Sequence, residues 1–315
     1  MSESGFQFST KDLLDLATGA AELKPVSRRS PRATQSGGYL SRIRGRGMEF
    51  DEVRAYMPGD DIRSMDWRVT ARRGEPHTKL YREERERPVL FMLDLGPSMQ
   101  FGSATRFKSV SCGRLMTRLA WAAQSHGDRI GGVLTNGPIH RECRPRGGRR
   151  GVLQLIHAAI ELQQQALSQL GQIPAGLYFN EALIRLRKVV RPGSIVYVFS
   201  DFKWVDDRSE NHLAGLARHN DLICIRSFDP LEENLPTSGS FSISNGEGVL
   251  RYRGGDRALL SGYVQLYRQQ VADLQQFCRD HRISLHHYSS SDDVRQFRAL
   301  RAATESKPPT SHLAP

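Results

Sequence analysis

Residues 89–94 read Val-Leu-Phe-Met-Leu-Asp, an uninterrupted apolar run of strand length that ends in a carboxylate. Because no polar residue interrupts the run, it predicts a strand that is covered on both faces. Short apolar strands then alternate with helical periodicity along the rest of the chain. We therefore predict an α/β fold with a doubly wound, mostly parallel sheet. The predicted strands after residue 94 are 130–134, 194–199, 222–227 and 283–287, and the predicted helices are 104–126, 152–162, 180–189, 206–218 and 258–282.

Weaker patterns flank this sheet. They predict a helix over 9–24, an exposed strand over 78–87, an antiparallel strand over 139–144, a hairpin over 239–253 with an Asn-Gly turn, and a closing helix over 292–303. We expect the N-terminal extension to pack on the sheet and the hairpin to be a small insertion. The predicted domains are an N-terminal helix and basic linker at 1–36, a mixed-charge segment at 37–88, the α/β domain at 89–304, and a disordered tail at 305–315.

The chain of 315 residues carries a formal charge of +11. Such a charge suits nucleic acid, acidic lipid or an acidic protein surface. The basic run of residues 141–150 lacks the interleaved aromatic residues of single-strand binders, so we favour a solvated loop or an acidic protein partner and expect no nucleic acid. The N-terminus has no secretory pattern and no stretch approaches about 18 apolar residues, so we expect a cytoplasmic protein that meets membranes only through partners.

Known catalytic patterns are missing from the sequence. It contains no phosphate-binding Gly-x-x-x-x-Gly-Lys loop, no Gly-x-Ser-x-Gly nucleophile turn and no histidine spacing suited to zinc. No nucleophile stands beside a base and an orienting residue. The four cysteines form no Cys-x-x-Cys pair, which predicts reduced, mostly buried thiols. We therefore expect a chain that is not an enzyme.

Carboxylates and hydroxyls follow two of the predicted strands. Asp94 closes the first strand, Ser98 follows four residues later, and Asp201 follows the strand at 194–199. Ligands of doubly wound sheets bind beyond the carboxyl ends of the strands, and oxygens are the ligands that Mg²⁺ prefers. Two interpretations stay open. The three side chains form a magnesium site, or Asp94 and Ser98 only satisfy main-chain groups of the loops.

A second candidate region lies before the sheet, where arginines alternate with carboxylates around a Pro-Gly-Asp-Asp turn. Arginine pairs with carboxylates through two hydrogen bonds, and a tryptophan there can bury its ring. This pattern predicts either an ion-pair network that clamps the segment on the core or a docking surface. The candidate residues are Glu49, Arg54, Tyr56, Asp60, Asp61, Arg63, Asp66, Trp67 and Arg72.

The loop after the first strand resembles the metal-ion-dependent adhesion site of von Willebrand factor A domains. That pattern is Asp-x-Ser-x-Ser, with a Thr and an Asp from later loops. Asp94, Ser98 and Asp201 match it, whereas Gly96 replaces a serine and no hydroxyl is in register near Leu177. The resemblance implies a von Willebrand factor A-like fold. It also implies a degenerate Mg²⁺ site whose shell an acidic partner residue completes, with an affinity lowered by the two missing ligands.

The segment of residues 45–73 resembles the bacterial family that carries domain of unknown function 58. The shared motifs are Gly-x-Gly-x-Glu-Phe, Pro-Gly-Asp-Asp and Asp-Trp, with Phe-Ser-Asp-Phe at 199–202 and Phe-Asp-Pro-Leu-Glu at 228–232. The resemblance spans roughly residues 37–290. It implies a partner of MoxR-type AAA+ ATPases that acts in the assembly or maturation of client proteins.

Our leading hypothesis is therefore a non-enzymatic adaptor. The alternatives are a nucleic-acid-binding protein that uses the basic surface, and a metal-dependent hydrolase that uses Asp94 and Asp201.

Overall fold

The computed structural model describes residues 5–23, 48–83, 87–171, 178–244 and 249–297. Its elements are, in chain order, α1 (Thr10–Asp15), β1 (Met48–Ala55), α2 (Trp67–Arg73), β2 (His77–Glu83), β3 (Pro88–Asp94), α3 (Lys108–Ser125), β4 (Arg129–Thr135), β5 (His140–Arg146), α4 (Arg149–Ser168), α5 (Phe179–Val189), β6 (Ile195–Ser200), α6 (Asp207–Ala217), β7 (Asp221–Phe228), α7 (Pro230–Glu233), β8 (Ser240–Ser244), β9 (Val249–Arg253), α8 (Arg257–Asp280) and β10 (Ser284–Ser289).

Six of these strands form the central sheet, in the order β10-β7-β6-β3-β4-β5. All neighbours are parallel except β4 and β5, which run antiparallel. The prediction of a mixed α/β fold with a mostly parallel sheet is therefore confirmed. The predicted antiparallel strand after β4 is β5, and the predicted hairpin is the β8-β9 pair, whose Asn-Gly turn lies outside the described residues.

The sheet is covered on both faces, as the apolar run predicts. Successive residues of β3 point to opposite sides: Phe91 and Leu93 belong to a core with α3 and α4, and Met92 belongs to a second core with α5, α6 and α8. Every residue from Val89 to Leu93 is at most 1% exposed. The strand therefore lies at the centre of the two cores.

The chain divides into two compact units. One comprises Met1–Arg32 and Arg87–Pro315, and the other comprises Ala33–Glu86. In the larger unit, Leu13 and Leu16 join the core beside α3, and the indole N–H of Trp121 donates to the carbonyl of Leu13 at 3.2 Å. In the smaller unit, β1 and β2 pair antiparallel, and α2 lies between them in sequence.

Two predicted helices differ from the structure. The helix expected over 9–24 ends at Asp15, and Ala20–Glu22 form a separate 3-10 turn. Gly19 separates them with φ of 73°, a left-handed conformation that ends helices. The closing helix expected over 292–303 is absent from residues 292–297, which form turns, and its remainder lies outside the described residues.

The four cysteines are free and buried, which agrees with the predicted reduced thiols. Within the part of the chain that is described, no helix is long and apolar enough to cross a membrane.

Close strand packing generates a first prediction, for Gly132 of β4, which pairs with Phe91. A Cβ on Gly132 would overlap the main-chain carbonyl of Phe91, which cannot move aside without breaking the sheet. Gly132→Ala should therefore lower the free energy of unfolding by about 2 kcal/mol or more, as measured by urea denaturation.

Gly262 of α8 is the matched control, because a Cβ there would have no neighbour within 4 Å. Gly262→Ala should raise the free energy of unfolding by up to about 1 kcal/mol, since alanine favours a helix. Equal effects at the two glycines would contradict the packing described for β4.

Candidate functional site

The candidate site lies where β3 and β6 end side by side. The chain leaves β3 for α3 on one face of the sheet and leaves β6 for α6 on the other face, which makes this the switch point of the sheet. Here the hydroxyl of Ser200 donates to Asp94 Oδ2 at 2.7 Å, and the N–H of Gly96 donates to Asp94 Oδ1 at 2.8 Å. Both carboxylate oxygens of Asp94 therefore accept hydrogen bonds from protein groups.

A buried lysine lies beside this carboxylate. Lys108, the first residue of α3, is 0% exposed. Its ammonium lies 2.9 Å from Asp201 Oδ2 and 2.7 Å from Glu232 Oε1. Asp201 is itself buried, directly after β6. We call Asp94, Ser98, Lys108, Ser200, Asp201 and Glu232 together the carboxyl edge.

Glu232 is oriented by a local hydrogen-bond motif in α7. Asp229 accepts the N–H of Leu231 at 3.0 Å, and Glu232 Oε2 accepts the N–H of Asp229 at 2.9 Å. This reciprocal capping fixes the glutamate side chain at the start of the helix. The second oxygen of Glu232 is then free to accept from Lys108. The Phe-Asp-Pro-Leu-Glu motif therefore has a structural role at the carboxyl edge.

Charges at the carboxyl edge set the protonation of its groups. Burial alone would raise the pKa of Asp201, but Lys108, Lys203 and the hydroxyl of Ser98 hold that pKa below its ordinary value. Burial likewise opposes the charge of Lys108, but Asp201 and Glu232 raise the pKa of the ammonium above its ordinary value. Asp201 and Lys108 therefore form a charged pair at neutral pH.

Asp94 behaves differently from Asp201. Burial, and next the negative charge of Asp201, raise the pKa of Asp94 to about 6, although Ser200 and Gly96 donate to it. The described residues place no lysine, arginine or histidine in an ion pair with this carboxylate. Asp94 is therefore the acidic group of the carboxyl edge that lacks a direct cationic partner.

The residues present do not fit a divalent cation. Its ligands would be Asp94, Ser98 and Asp201, but both oxygens of Asp94 already accept hydrogen bonds and Asp201 is paired with an ammonium. The described residues contain no group of three or more His, Cys, Asp and Glu side chains that could hold a metal ion. The geometry at Asp94 matches the alternative interpretation, in which the carboxylate satisfies loop groups. Leu177, near the expected threonine, lies outside the described residues.

A shallow cavity of about 30 Å³ adjoins Asp94. Its volume suits about one water molecule and is far below the roughly 300 Å³ of the smallest typical ligand pockets. Trp204 lines this cavity and is 46% exposed. Larger cavities of about 440 and 510 Å³ lie between α6 and α8 and include no residue of the carboxyl edge. The other lining residues of the small cavity include Pro97, Ser98, Thr135, Tyr178 and Phe179.

Acidic residues of the mixed-charge segment mostly bind main-chain groups. Asp60 accepts the N–H of Met57, Asp61 accepts that of Arg63, and Asp66 caps α2 by accepting that of Arg68. In the described part of this segment the ion pairs are Arg54–Asp60 at 2.8 Å and Lys79–Asp66 at 3.5 Å. Of the two interpretations of this segment, the extended arginine–carboxylate network has few ion pairs among the described residues, because these aspartates sit at chain reversals and accept turn and helix-capping hydrogen bonds. A docking role for the segment stays a prediction.

Trp67 does not bury its ring, although a tryptophan there can do so, since it is 66% exposed at the first position of α2. Helix α2 has only two turns and none of its residues is buried, so it offers no core for the ring. Tyr56 is partly buried, and its N–H donates to the carbonyl of Pro76 at 2.8 Å. Arg72 lies exposed in α2, and the side chain of Glu49 lies outside the described residues.

The basic run at 141–150 covers the edge of the central sheet. β5 is the last strand of that sheet, and Arg144 and Arg146 are exposed on either side of Pro145. Charged side chains and proline on an edge strand prevent pairing with other chains. Arg141 pairs with Glu161, and Arg149 lies 5.6 Å from the centre of the Trp121 ring. Edge protection therefore accounts for much of this charge.

Comparison with known proteins identifies the family. A family model described as protein of unknown function DUF58 matches residues 52–272, which is more than half of the chain. The chain belongs to the DUF58 family. The matched range contains both the mixed-charge segment from Glu52 onward and every residue of the carboxyl edge.

Relatives of this DUF58 protein occur in mycobacteria. Uncharacterized protein Rv1480 of Mycobacterium tuberculosis and uncharacterized protein Mb1516 of Mycobacterium bovis are each 29% identical over 245 residues, which cover 76% of this chain and 73% of the relative. Among solved structures, the conserved hypothetical protein BatB of Bacteroides thetaiotaomicron is 17% identical, with a TM-score of 0.42 over 65% of this chain and 91% of that chain. An aerotolerance-related membrane protein of Bacteroides fragilis is 13% identical, with a TM-score of 0.41 over 66% and 92%.

The sequence patterns did not point to Lys108 or Glu232 as site residues. A signal for Lys108 exists, because it shares a helix face with Cys112, Leu115 and Leu119, all of which are buried. A lysine on an apolar stripe must either extend to solvent or meet buried carboxylates.

Burial of Lys108 generates the second prediction. Lys108→Met keeps an unbranched side chain that is one atom shorter but leaves Asp201 and Glu232 without their buried cation. The free energy of unfolding should fall by about 3–5 kcal/mol, measured by chemical denaturation at pH 7.

Lys203 is the matched control for this change. Its ammonium lies 2.6 Å from the same Glu232 oxygen, but its side chain is 38% exposed. Lys203→Met should cost less than about 1 kcal/mol, because water screens an exposed pair. Similar losses for the two lysines would contradict the account of a buried ion cluster.

The third prediction concerns Asp94 and pH. On folding, the pKa of the Asp94 carboxyl rises from 3.8 to about 6. Its contribution to folding stability is therefore fully present below pH 3.8 and is lost as the pH rises through about 6. Asp94→Asn removes the titration but keeps the size of the group. The free energy of unfolding of the variant minus that of the native chain should therefore increase by about 2–3 kcal/mol from pH 4 to pH 8, since one pKa unit corresponds to about 1.4 kcal/mol.

The measurement is urea denaturation across this pH range in buffer that contains EDTA. Asp15→Asn, at an exposed position, controls for the change in net charge. A stability difference between Asp94→Asn and the native chain that stays constant with pH would refute the electrostatic description of Asp94.

Proposed function

We propose that this DUF58 protein is a non-enzymatic adaptor that binds other proteins through its carboxyl edge. It works with a MoxR-type AAA+ ATPase in the assembly or maturation of client proteins. The proposal takes the α/β unit as von Willebrand factor A-like, on the resemblance of Asp94, Ser98 and Asp201 to the adhesion site. Because such an ATPase consumes ATP, the encounter takes place in the cytoplasm.

The observation that carries this proposal is the exposed Trp204 beside Asp94 at the switch point of the sheet. Tryptophan is enriched among the residues that dominate binding energy at protein interfaces. Trp204 lies in the loop after β6, and the buried ion cluster holds the first residue of that loop, Asp201. The adjoining cavity is too small for a substrate, so a flat contact with another protein suits this surface better than catalysis does.

Charge balance indicates the chemistry of the partner at this point. Ionised Asp94, Asp201 and Glu232 carry three negative charges, and Lys108 and Lys203 carry two positive charges. The surplus negative charge lies on Asp94, which lines the cavity. A lysine or arginine of the partner complements this surface, and its cation can also lie on the Trp204 ring. An acidic partner residue would need a metal ion between it and Asp94, which the residues present do not fit.

The alternatives gain less support. A metal-dependent hydrolase would need a divalent ion between Asp94 and Asp201, where Lys108 already balances the charge. A nucleic-acid-binding role would rest on the exposed arginines of β5, whose position on the sheet edge accounts for them without a ligand.

The fourth prediction tests the adaptor directly. The purified chain should bind its cognate MoxR-type ATPase in a pull-down followed by titration calorimetry. Trp204→Ala should weaken the affinity by tenfold or more, which corresponds to about 1.4 kcal/mol. Asp94→Asn should also weaken it at pH 8, and urea denaturation of the same sample shows whether a loss of fold explains the result.

Trp67→Ala is the matched control, because Trp67 is also an exposed tryptophan but belongs to the Ala33–Glu86 unit. Its affinity for the ATPase should equal that of the native chain. A loss confined to Trp67→Ala would place the docking surface in that unit instead. No association with the ATPase, with or without Mg²⁺ and nucleotide, would overturn the adaptor proposal.

A further inference from the structure

The position of Lys108 is unfavourable for a lysine in two ways. Its side chain is wholly buried, and removing an ammonium from water costs several kcal/mol. It also stands at the first residue of α3, where the positive end of the helix dipole repels a cation. Local helix preferences therefore give no reason for a lysine here. The stabilising contacts come from the two carboxylates that it meets, Asp201 and Glu232.

The ammonium of Lys108 balances the negative charge of clustered acidic side chains, which is the role that a metal ion has in such clusters. It touches Asp201 and Glu232, which come from the end of β6 and from α7. A cation at this place balances charge on two carboxylates from two separate segments of the chain.

We infer that the ammonium of Lys108 is the resident cation of the carboxyl edge, in the charge-balancing place of a divalent ion, so that recruitment there needs no metal. The consequence for recruitment rests on the proposed adaptor function. The consequence for metal binding concerns the chain alone.

Electrostatic repulsion prevents a divalent ion and the Lys108 ammonium from occupying the carboxyl edge together. A divalent ion on Asp201 would share that carboxylate with an ammonium 2.9 Å away and would face a second ammonium, on Lys203, at 4.0 Å from the same oxygen. Like charges at such distances repel strongly away from water. With Lys108 removed, Asp201 and Glu232 would each lose their buried partner and would present oxygens of the kind that hard divalent ions prefer.

The test has two measurements on the full chain. Calorimetry monitors a titration with Mn²⁺, and thermal melting is recorded in EDTA and in millimolar Mn²⁺. The native chain should show no saturable binding and the same melting temperature in both buffers. Lys108→Met should melt at a lower temperature than the native chain in EDTA and should bind Mn²⁺. The ion should raise the melting temperature of that variant by on the order of 5 °C, because it binds only the folded state.

Lys203→Met is the control, because it removes a cation from the same carboxylates but keeps Lys108. It should gain no Mn²⁺ binding. Saturable binding of Mn²⁺ by the native chain overturns the inference, and so does a folded Lys108→Met that gains no affinity for Mn²⁺. If Lys108→Met does not fold, the native titration decides alone. Because no partner is present in this experiment, its result is separate from the result of the ATPase binding assay.

Discussion

The ion cluster around Lys108 joins segments that are far apart in sequence. The lysine begins α3, Asp201 follows β6, and Glu232 lies in α7. One ammonium therefore links three segments of the chain at the carboxyl edge. Asp229 extends this connection, because it accepts the N–H of Ser103 at 2.9 Å and the hydroxyl of Ser290, which follows β10. The loops at this end of the sheet are thus held by buried polar contacts. Without Lys108, Asp201 and Glu232 would keep, among the described residues, only Lys203 as a cation, and the side chain of Lys203 is partly exposed.

This constraint explains why the carboxyl edge suits recruitment. Buried, fully paired charges hold a loop in one conformation, which lowers the entropy lost when a partner binds. The exposed Trp204 lies next to these paired groups, and Asp94 supplies the one carboxylate of the edge without a direct cationic partner. An exposed aromatic ring and one unpaired carboxylate, both next to rigid loops, are features of protein-binding sites.

The sheet could be predicted from the sequence because its central strands are buried on both faces. An apolar run such as Val89–Leu93 has few alternatives to a central strand, and the position of Asp94 at its end follows from that. The juxtaposition of Asp94 with Asp201 follows from strand order at the switch point. Lys108 was not identified, because its role depends on two carboxylates that lie 93 and 124 residues away in the chain.

Local rules misled the interpretation of the mixed-charge segment. Alternating Arg and Asp suggested ion pairs, whereas Asp61 and Asp66 mainly accept main-chain N–H groups at the start of short helices. A tryptophan such as Trp67 can bury its ring, but the short helix α2 has no buried residue for it to pack against. Whether an aspartate caps a helix or pairs with an arginine depends on the local path of the main chain. The spacing of charges in the sequence does not reveal that path.

The central claim is that an ammonium, and not a divalent ion, balances the carboxyl edge. Anomalous diffraction from crystals grown in millimolar Mn²⁺ tests it most directly. The account predicts no anomalous peak near Asp94, Ser98 and Asp201, with the Lys108 nitrogen in contact with both Asp201 and Glu232. A Mn²⁺ peak between Asp94, Ser98 and Asp201, with the lysine displaced, would contradict it.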